Sequence, residues 1–177
     1  MASNFKRDLK NAKVGESTVR NVLANSTWDW DFKDVSDDAS CYYKGDIEAY
    51  NVDAGYVFLD VKMDSRIADT GNVLCEEKVY SYVSNQYYKG NMDSDYDVLA
   101  IISVDIRKIW LIDFKVLKAH YKEGRAYNKV HCDDYGYAAQ KTIGTLCSLD
   151  KIEKWGGLLY IIDYDSRYLP TRIKKIA

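Results

Sequence analysis

The sequence predicts a mixed α and β fold, of the α/β or α+β class, with one central mixed sheet of four to six strands flanked by helices. Three observations predict it: apolar residues at helical spacing near the N-terminus, a strictly alternating segment in the first half, and two apolar runs in the second half. A chain of 177 residues has the size of one domain, and we assign residues 1–177 to it.

The first predicted element is an amphipathic helix over residues 3–24, in which Glu16 interrupts the apolar stripe. Burying an acid is costly unless a positive group binds it. Alternatively, Gly15 breaks the helix and turns Glu16 toward solvent, and the pattern alone leaves both readings open. The stripe consists of Phe5, Leu9, Ala12, Val19 and Leu23.

A hairpin is predicted in the first half of the chain. After a short strand near residues 32–35, residues 45–50 and 56–63 form two strands around a turn of Asn, Asp and Gly at 51–55. Side chains of a strand alternate between its faces. One face of the second strand therefore carries Val57, Leu59 and Val61, and the other Tyr56, Phe58, Asp60 and Lys62.

The rest of the chain is predicted to alternate short elements. The apolar runs at 98–104 and 109–114 fit strands near the middle of a sheet. In chain order we expect a strand at 73–82, a tyrosine-bearing loop at 85–97, the two central strands, a short helix at 116–121, a polar hairpin near 133–144, a helix at 148–155 and a last strand at 158–163.

Charge and composition narrow the classes of function. The net charge of −2 argues against a broadly basic nucleic-acid binder, although bound cations would offset acids gathered at one site. The sixteen tyrosines can stack on unpaired bases, but packing in the core is their commoner role. No CxxC pair, signal peptide or long apolar run occurs, which predicts a cytoplasmic protein with reduced thiols and no membrane partner.

Three acidic segments carry the chemistry. Asp46 and Glu48 lie two residues apart in GDIE, Asp60 and Lys62 two apart in DVK, and the predicted hairpin brings both pairs to one end. Glu16 stands on the preceding helix. Clustered carboxylates hold Mg²⁺, which lowers the pKa of bound water and clamps a phosphate. A neighbouring lysine can orient or deprotonate that water, or pair with the phosphate.

This arrangement resembles the PD-(D/E)xK, restriction-endonuclease-like nuclease superfamily. Residues 60–72, followed by Glu76, are also similar to phage- and prophage-type nuclease-like proteins that read D/E-V-K-x-D, then T-G-N, then E. The similarity covers residues 12–165, and only 45–76 is specific. It implies a core of a helix, three or four strands, a second helix and a further strand.

The resemblance also implies roles for individual residues. Glu16 corresponds to the first-helix acid, Asp60 to the (D/E) and Lys62 to the K. The remaining acid is Asp46, the expected residue type, or Glu48, since relatives that read G-E-I-D use the later position. The implied metal ligands are Asp46, Glu48, Asp60 and Val61, with Mg²⁺ as the cofactor and Mn²⁺ able to substitute.

Four further residues are candidates for substrate binding: Asp64, Arg66, Asn72 and Glu76. Asp64 and Asn72 have an alternative explanation in turn formation, because both residue types hydrogen-bond to their own backbone. Lys44, Lys78 and Lys89 suit either phosphate contact or an ordinary charged surface.

The expected function is therefore that of a Mg²⁺-dependent, endonucleolytic DNase of phage or mobile-element origin. Exonuclease action and RNA as the substrate stay open, and a homodimer is compatible with the resemblance. The alternative is a catalytically silent module with the nuclease fold, such as a phage protein that inhibits a host defence system by contacting a protein partner.

Overall fold

The computed structural model describes the backbone of residues 2–41, 44–82, 84–122, 127–134 and 140–177. Side chains are described for residues 10–41, 44–82, 84–122 and 141–177. The helices in these ranges are α1 (Ala2–Ala24), α2 (Ile67–Thr70), α3 (Phe114–Lys122) and α4 (Leu149–Lys154), with 3₁₀ turns at Ala39–Cys41 and Asn91–Asp93. None of the described helices is long and apolar enough to cross a lipid bilayer.

The strands form two sheets. They are β1 (Asp31–Asp34), β2 (Ile47–Asn51), β3 (Gly55–Met63), β4 (Asn72–Ser81), β5 (Gln86–Lys89), β6 (Val98–Ser103), β7 (Lys108–Asp113), β8 (Tyr127–Asp134), β9 (Gln140–Ser148), β10 (Leu158–Tyr164) and β11 (Pro170–Lys175). A seven-stranded mixed sheet has the order β1-β2-β3-β6-β7-β10-β11, and a four-stranded sheet has the order β5-β4-β9-β8.

The mixed α and β class is confirmed, but the expectation of one sheet with four to six strands is wrong. Strand β3 pairs with β6 in parallel, and a parallel pair needs a long crossover between its strands. This crossover contains β4 and β5, and β4 pairs with β9 instead of joining the main sheet. The second sheet therefore arises from contacts between segments far apart in the chain.

The seven-stranded sheet is covered on both faces. Alternate residues of β6 enter opposite clusters, with Leu99 and Ile101 in one and Ala100 and Ile102 in the other. Helix α1 packs Val19, Val22 and Leu23 onto the second of these faces. The first face packs against α3, α4 and the smaller sheet, with Phe114, Leu117, Ile152, Val73, Cys75 and Cys147 among the buried side chains. Apolar runs at β6 and β7 thus correctly predicted strands buried on both sides.

Most of the other predicted elements are confirmed, including the first helix, the β2–β3 hairpin and the α4 helix. Helix α1 continues through Gly15, so a helix break at that residue is wrong. The segment 85–97 is not a plain loop, because it contains β5 and a 3₁₀ turn. The strand at 158–163 is not the last one, since β11 follows it. Residues 135–139 of the predicted polar hairpin lie outside the described residues.

Gly45 fixes the chain where it enters the β2–β3 hairpin. Its φ is +125°, and a Cβ atom there would lie 2.5 Å from the backbone oxygen of Leu59. The next residue, Asp46, donates its backbone N–H to that same oxygen at 2.8 Å and accepts from the backbone N–H of Val35 at 2.9 Å. Asp46 is therefore held tightly against β3.

We predict that Gly45→Ala lowers the free energy of unfolding by about 2–4 kcal/mol, because it adds both backbone strain and a steric clash. Gly71→Ala is the matched control. Gly71 also has a positive φ, of +62°, but no atom lies within 4 Å of a Cβ there, so only about 1 kcal/mol should be lost. Urea unfolding of both variants measures the difference, and equal losses would contradict the close approach at Gly45.

Candidate active site

A polar cleft of about 560 Å³ opens where the β2–β3 hairpin meets β4 and the chain that follows β5. Asp60 and Lys62 reach it from β3, and Glu76 reaches it from β4. The complete lining is Ser36, Gly45, Asp46, Asp60, Lys62, Glu76, Lys89, Gly90, Asn91, Asp93, Ser94 and Asp95. The cleft thus combines several acids with two lysines.

Asp46 and Asp60 form the acidic centre of this cleft. The Oδ2 atom of Asp46 accepts a hydrogen bond of 2.8 Å from the backbone N–H of Val61, which ties the carboxylate to β3. Burial raises the pKa of Asp46, and repulsion from Asp60 raises it further. Burial is also the largest cause of the raised pKa of Asp60. The cleft therefore disfavours both charged forms, and a bound cation would reverse this effect.

Lys62 is the cation closest to this centre. Its Nζ atom lies 3.0 Å from Oδ2 of Asp60, and 46% of its side chain is exposed compared with 15% for Asp60. Burial disfavours the charged ammonium, but attraction to Asp60, Asp46 and Glu76 outweighs it and raises the pKa of Lys62. Lys62 therefore remains protonated, with its ammonium group paired to Asp60 in the cleft.

Glu16 faces inward from α1, so the alternative that turned it toward solvent is wrong. The residue is 8% exposed, and its Oε2 atom lies 3.5 Å from Nζ of Lys13, one helical turn earlier. Lys13 is also 2.9 Å from Oδ1 of Asp37. Burial raises the pKa of Glu16, and the nearby charge of Asp46 adds to the shift. Glu16 thus adds a third acid behind the Asp46–Asp60 pair.

The donor set fits a hard divalent cation. Oδ2 of Asp60 and Oε2 of Glu16 are buried and make no hydrogen bond of regular geometry, although a lysine ammonium lies near each. Within the described ranges, no three His, Cys, Asp or Glu side chains already form a metal cage. Mg²⁺ does not need one, because it commonly keeps several waters and binds through one or two carboxylates plus a substrate phosphate.

The structure separates the two candidates for the remaining acid. Asp46 lines the cleft, whereas Glu48 is not among the lining residues. Glu48 lies within β2, half-buried, opposite Phe58 of β3 and Lys33 of β1. The Val61 side chain is 7% exposed and belongs to the core beneath α1, so only its backbone is available to the cleft.

Of the four candidates for substrate binding, three line the cleft or a pocket next to it and one does not. Glu76 lines the cleft, and with Asp64 and Arg66 it lines an adjoining pocket of about 320 Å³. Asp64 also accepts the backbone N–H of Arg66 at 2.8 Å, as the turn explanation predicted. Asn72 begins β4 and lines neither pocket.

Sequence reasoning missed several residues that shape the site. The Oδ1 atom of buried Asn91 accepts the backbone N–H of Glu76 at 2.9 Å and thereby fixes this acid at the cleft. Gly90 permits the contact, because a Cβ there would lie 2.2 Å from the backbone oxygen of Glu76. No local sequence pattern identifies Asn91 or Gly90 as part of the site. Lys13 did carry a signal, since residues three apart on a helix are neighbours and it precedes Glu16 by three.

Comparison of the chain with protein-family models, with curated proteins and with solved structures finds no match.

We predict that Asp46→Asn makes the metal-free protein more stable at pH 7. The amide oxygen can still accept the Val61 N–H, while the penalty for a buried charge is removed. Because the pKa of Asp46 is raised in the folded state, wild-type stability falls as pH rises through that pKa. The advantage of the variant should therefore shrink on acidification, as thermal melts in EDTA at several pH values will show.

Asp165→Asn is a control for which the opposite change in stability is expected. Hydrogen bonds from Arg167 and Leu169 lower the pKa of Asp165, so removal of its charge should lower the melting temperature at pH 7. An Asp46→Asn protein that is also less stable than wild type at pH 7 would show that the charge of Asp46 stabilises the metal-free protein.

Proposed function

We propose that the chain is a Mg²⁺-dependent nuclease that hydrolyses DNA phosphodiester bonds with a metal-activated water. The observation that carries the proposal is the Asp46–Asp60 pair beside Lys62 in an open cleft. Two carboxylates with raised pKa values are costly to keep together in a metal-free protein, and such arrangements concentrate at functional sites. Their hard oxygen donors suit Mg²⁺, and Mn²⁺ should substitute.

Each residue then has a separate role. Asp46 and Asp60 would hold the metal, which when bound lowers the pKa of water and offsets charge on the phosphate. Lys62 is held as an ammonium ion and donates hydrogen bonds to the phosphate or to the attacking water. Lys62 cannot accept a proton in that state, so the proton of the attacking water would go to a carboxylate or to a phosphate oxygen. Glu16 strengthens the negative field from α1.

The same residues support placing the chain in the PD-(D/E)xK, restriction-endonuclease-like group. Acids occur on the first helix, just before β2, and on β3, and β6 lies beside β3 in parallel. The chain departs from the group's pattern between β3 and β6. There α2 has only four residues, and β4 and β5 stand where a second helix is expected.

The competing proposal is a nuclease-like module that binds a protein partner without catalysis. Exposed rings on and near β5 favour it, since Tyr82, Tyr87 and Tyr88 are each more than half exposed. In that case Asp60 and Lys62 form an ordinary ion pair, and alanine at either position leaves partner binding unchanged.

We predict that the wild-type protein cuts DNA with Mg²⁺ or Mn²⁺ and does not cut it in EDTA. Supercoiled plasmid, linear duplex and single-stranded DNA should each be tested, because cutting of the closed circle reports endonucleolytic action. Lys62→Ala should lower the rate by about 100-fold or more, since it removes the cation nearest the reacting phosphate. Gel assays of initial rates measure both effects.

Lys108→Ala is the matched control for this assay. Lys108 also pairs with an acid within the main sheet, with its Nζ 3.4 Å from Oδ1 of Asp163, but it does not line the cleft. Its loss should leave the cleavage rate near that of wild type. Full activity of Lys62→Ala would overturn the assigned role, and no cleavage of any substrate together with no metal binding would favour the binding module.

A further inference from the structure

We propose that the β4–β5 hairpin binds single-stranded DNA and guides it into the cleft. This inference names the form of the substrate and so rests on the proposed nuclease function. The surface concerned, here called the tyrosine face, consists of Lys78, Tyr80, Tyr82, Tyr87 and Lys89.

Strand pairing brings these side chains together. Tyr80 lies directly opposite Tyr87, and Lys78 lies opposite Lys89, so the four share one face of the hairpin. Ring centroids are 4.9 Å apart for Tyr80 and Tyr87, and 5.0 Å apart for Tyr80 and Tyr82. Nζ of Lys78 lies 4.9 Å from the ring centroid of Tyr87. The result is a contiguous aromatic surface with a cation against it.

Two of the three rings of this surface are open to solvent, and Tyr80 is half-buried. Tyr87 is 60% exposed and Tyr82 is 55% exposed, so packing in the core does not explain these two tyrosines. An exposed cluster of rings is unusual on a protein surface and indicates a binding role. Aromatic rings bind unpaired bases by stacking, whereas bases in a duplex are already stacked on one another and present only their edges.

Charge on the hairpin favours a phosphate-bearing ligand over a protein surface. Lys78 and Lys89 oppose each other directly, and like charges in that position destabilise a strand pair. From residue 78 to residue 89 the sequence contains no acid, although the whole chain has a net charge of −2. A phosphate backbone would offset the repulsion between the two lysines.

The tyrosine face is continuous with the proposed catalytic centre. Lys89 ends β5 and also lines the cleft that contains Asp60 and Lys62. A DNA strand stacked on Tyr87 and Tyr82 would therefore meet the basic side chain of Lys89 where it enters the cleft. Single-stranded nucleic acid satisfies the rings, the lysines and this continuity together, and the proposed nuclease function specifies DNA.

Binding can be measured apart from catalysis by fluorescence anisotropy in EDTA. The probes are labelled oligo-dT of about 15 nucleotides, a duplex of the same length and the matching oligo-U. Wild type should bind oligo-dT more tightly than the other two. Tyr87→Ala should weaken oligo-dT binding by about tenfold or more, because one stacking ring is lost. Lys89→Ala should reduce the salt dependence of binding, because one phosphate contact is lost.

Two controls separate stacking from other effects. Tyr87→Phe keeps the ring and should bind within about twofold of wild type, as expected for stacking. Tyr88→Ala removes a ring that is also more than half exposed but lies on the other face of the strand, opposite Val79, and it should leave binding unchanged.

Three results would overturn the inference. The first is that the Tyr87→Ala and Tyr88→Ala variants bind oligo-dT equally well. The second is that wild type binds the duplex or oligo-U as tightly as oligo-dT. The third is that Tyr87→Ala loses self-association of the protein but keeps its DNA binding. The assay is independent of cleavage. If wild type cuts DNA but Tyr87→Ala binds normally, only this inference fails; if binding follows the tyrosines but no substrate is cut, the proposed nuclease function fails.

Discussion

The burial of two carboxylates, Asp46 and Asp60, in one cleft is the constraint on which the rest of the site depends. Burial disfavours the charged form of both residues, and repulsion from Asp60 adds to this effect at Asp46, so the surrounding structure must hold the two acids together. The Val61 N–H fixes Asp46, and Lys62 pairs with Asp60. Lys13 forms an ion pair with Glu16 on α1. Each partner supplies positive charge or a hydrogen-bond donor to this acidic centre.

The main sheet makes this centre rigid. Strand β3 pairs with β2 on one side and with β6 on the other, and its alternation sends Leu59 and Val61 into the core while Asp60 and Lys62 face the cleft. Side chains on a doubly paired strand are positioned more precisely than side chains on a loop. The smaller sheet completes the site from the other side, where it contributes Glu76 and the exposed tyrosine face.

Local periodicity was enough to predict the first helix, the β2–β3 hairpin and the orientation of Asp60 and Lys62. It could not choose between Asp46 and Glu48, because Asp46 precedes β2 and follows a glycine with positive φ, where strand alternation does not apply. Pairing of β4 with β9 joins distant segments and leaves no local signal. Strand β11 was missed because its proline and charged residues resemble a solvated tail, which an edge strand tolerates.

Calorimetric titration of Mn²⁺ into wild type, Asp46→Asn and Glu48→Gln tests the central claim most directly. If the Asp46–Asp60 pair is the metal centre, wild type and Glu48→Gln bind Mn²⁺ alike, and Asp46→Asn loses measurable binding. If Asp46→Asn binds Mn²⁺ as well as wild type does, or if only Glu48→Gln loses Mn²⁺ binding, the account is contradicted and the metal site lies outside the cleft.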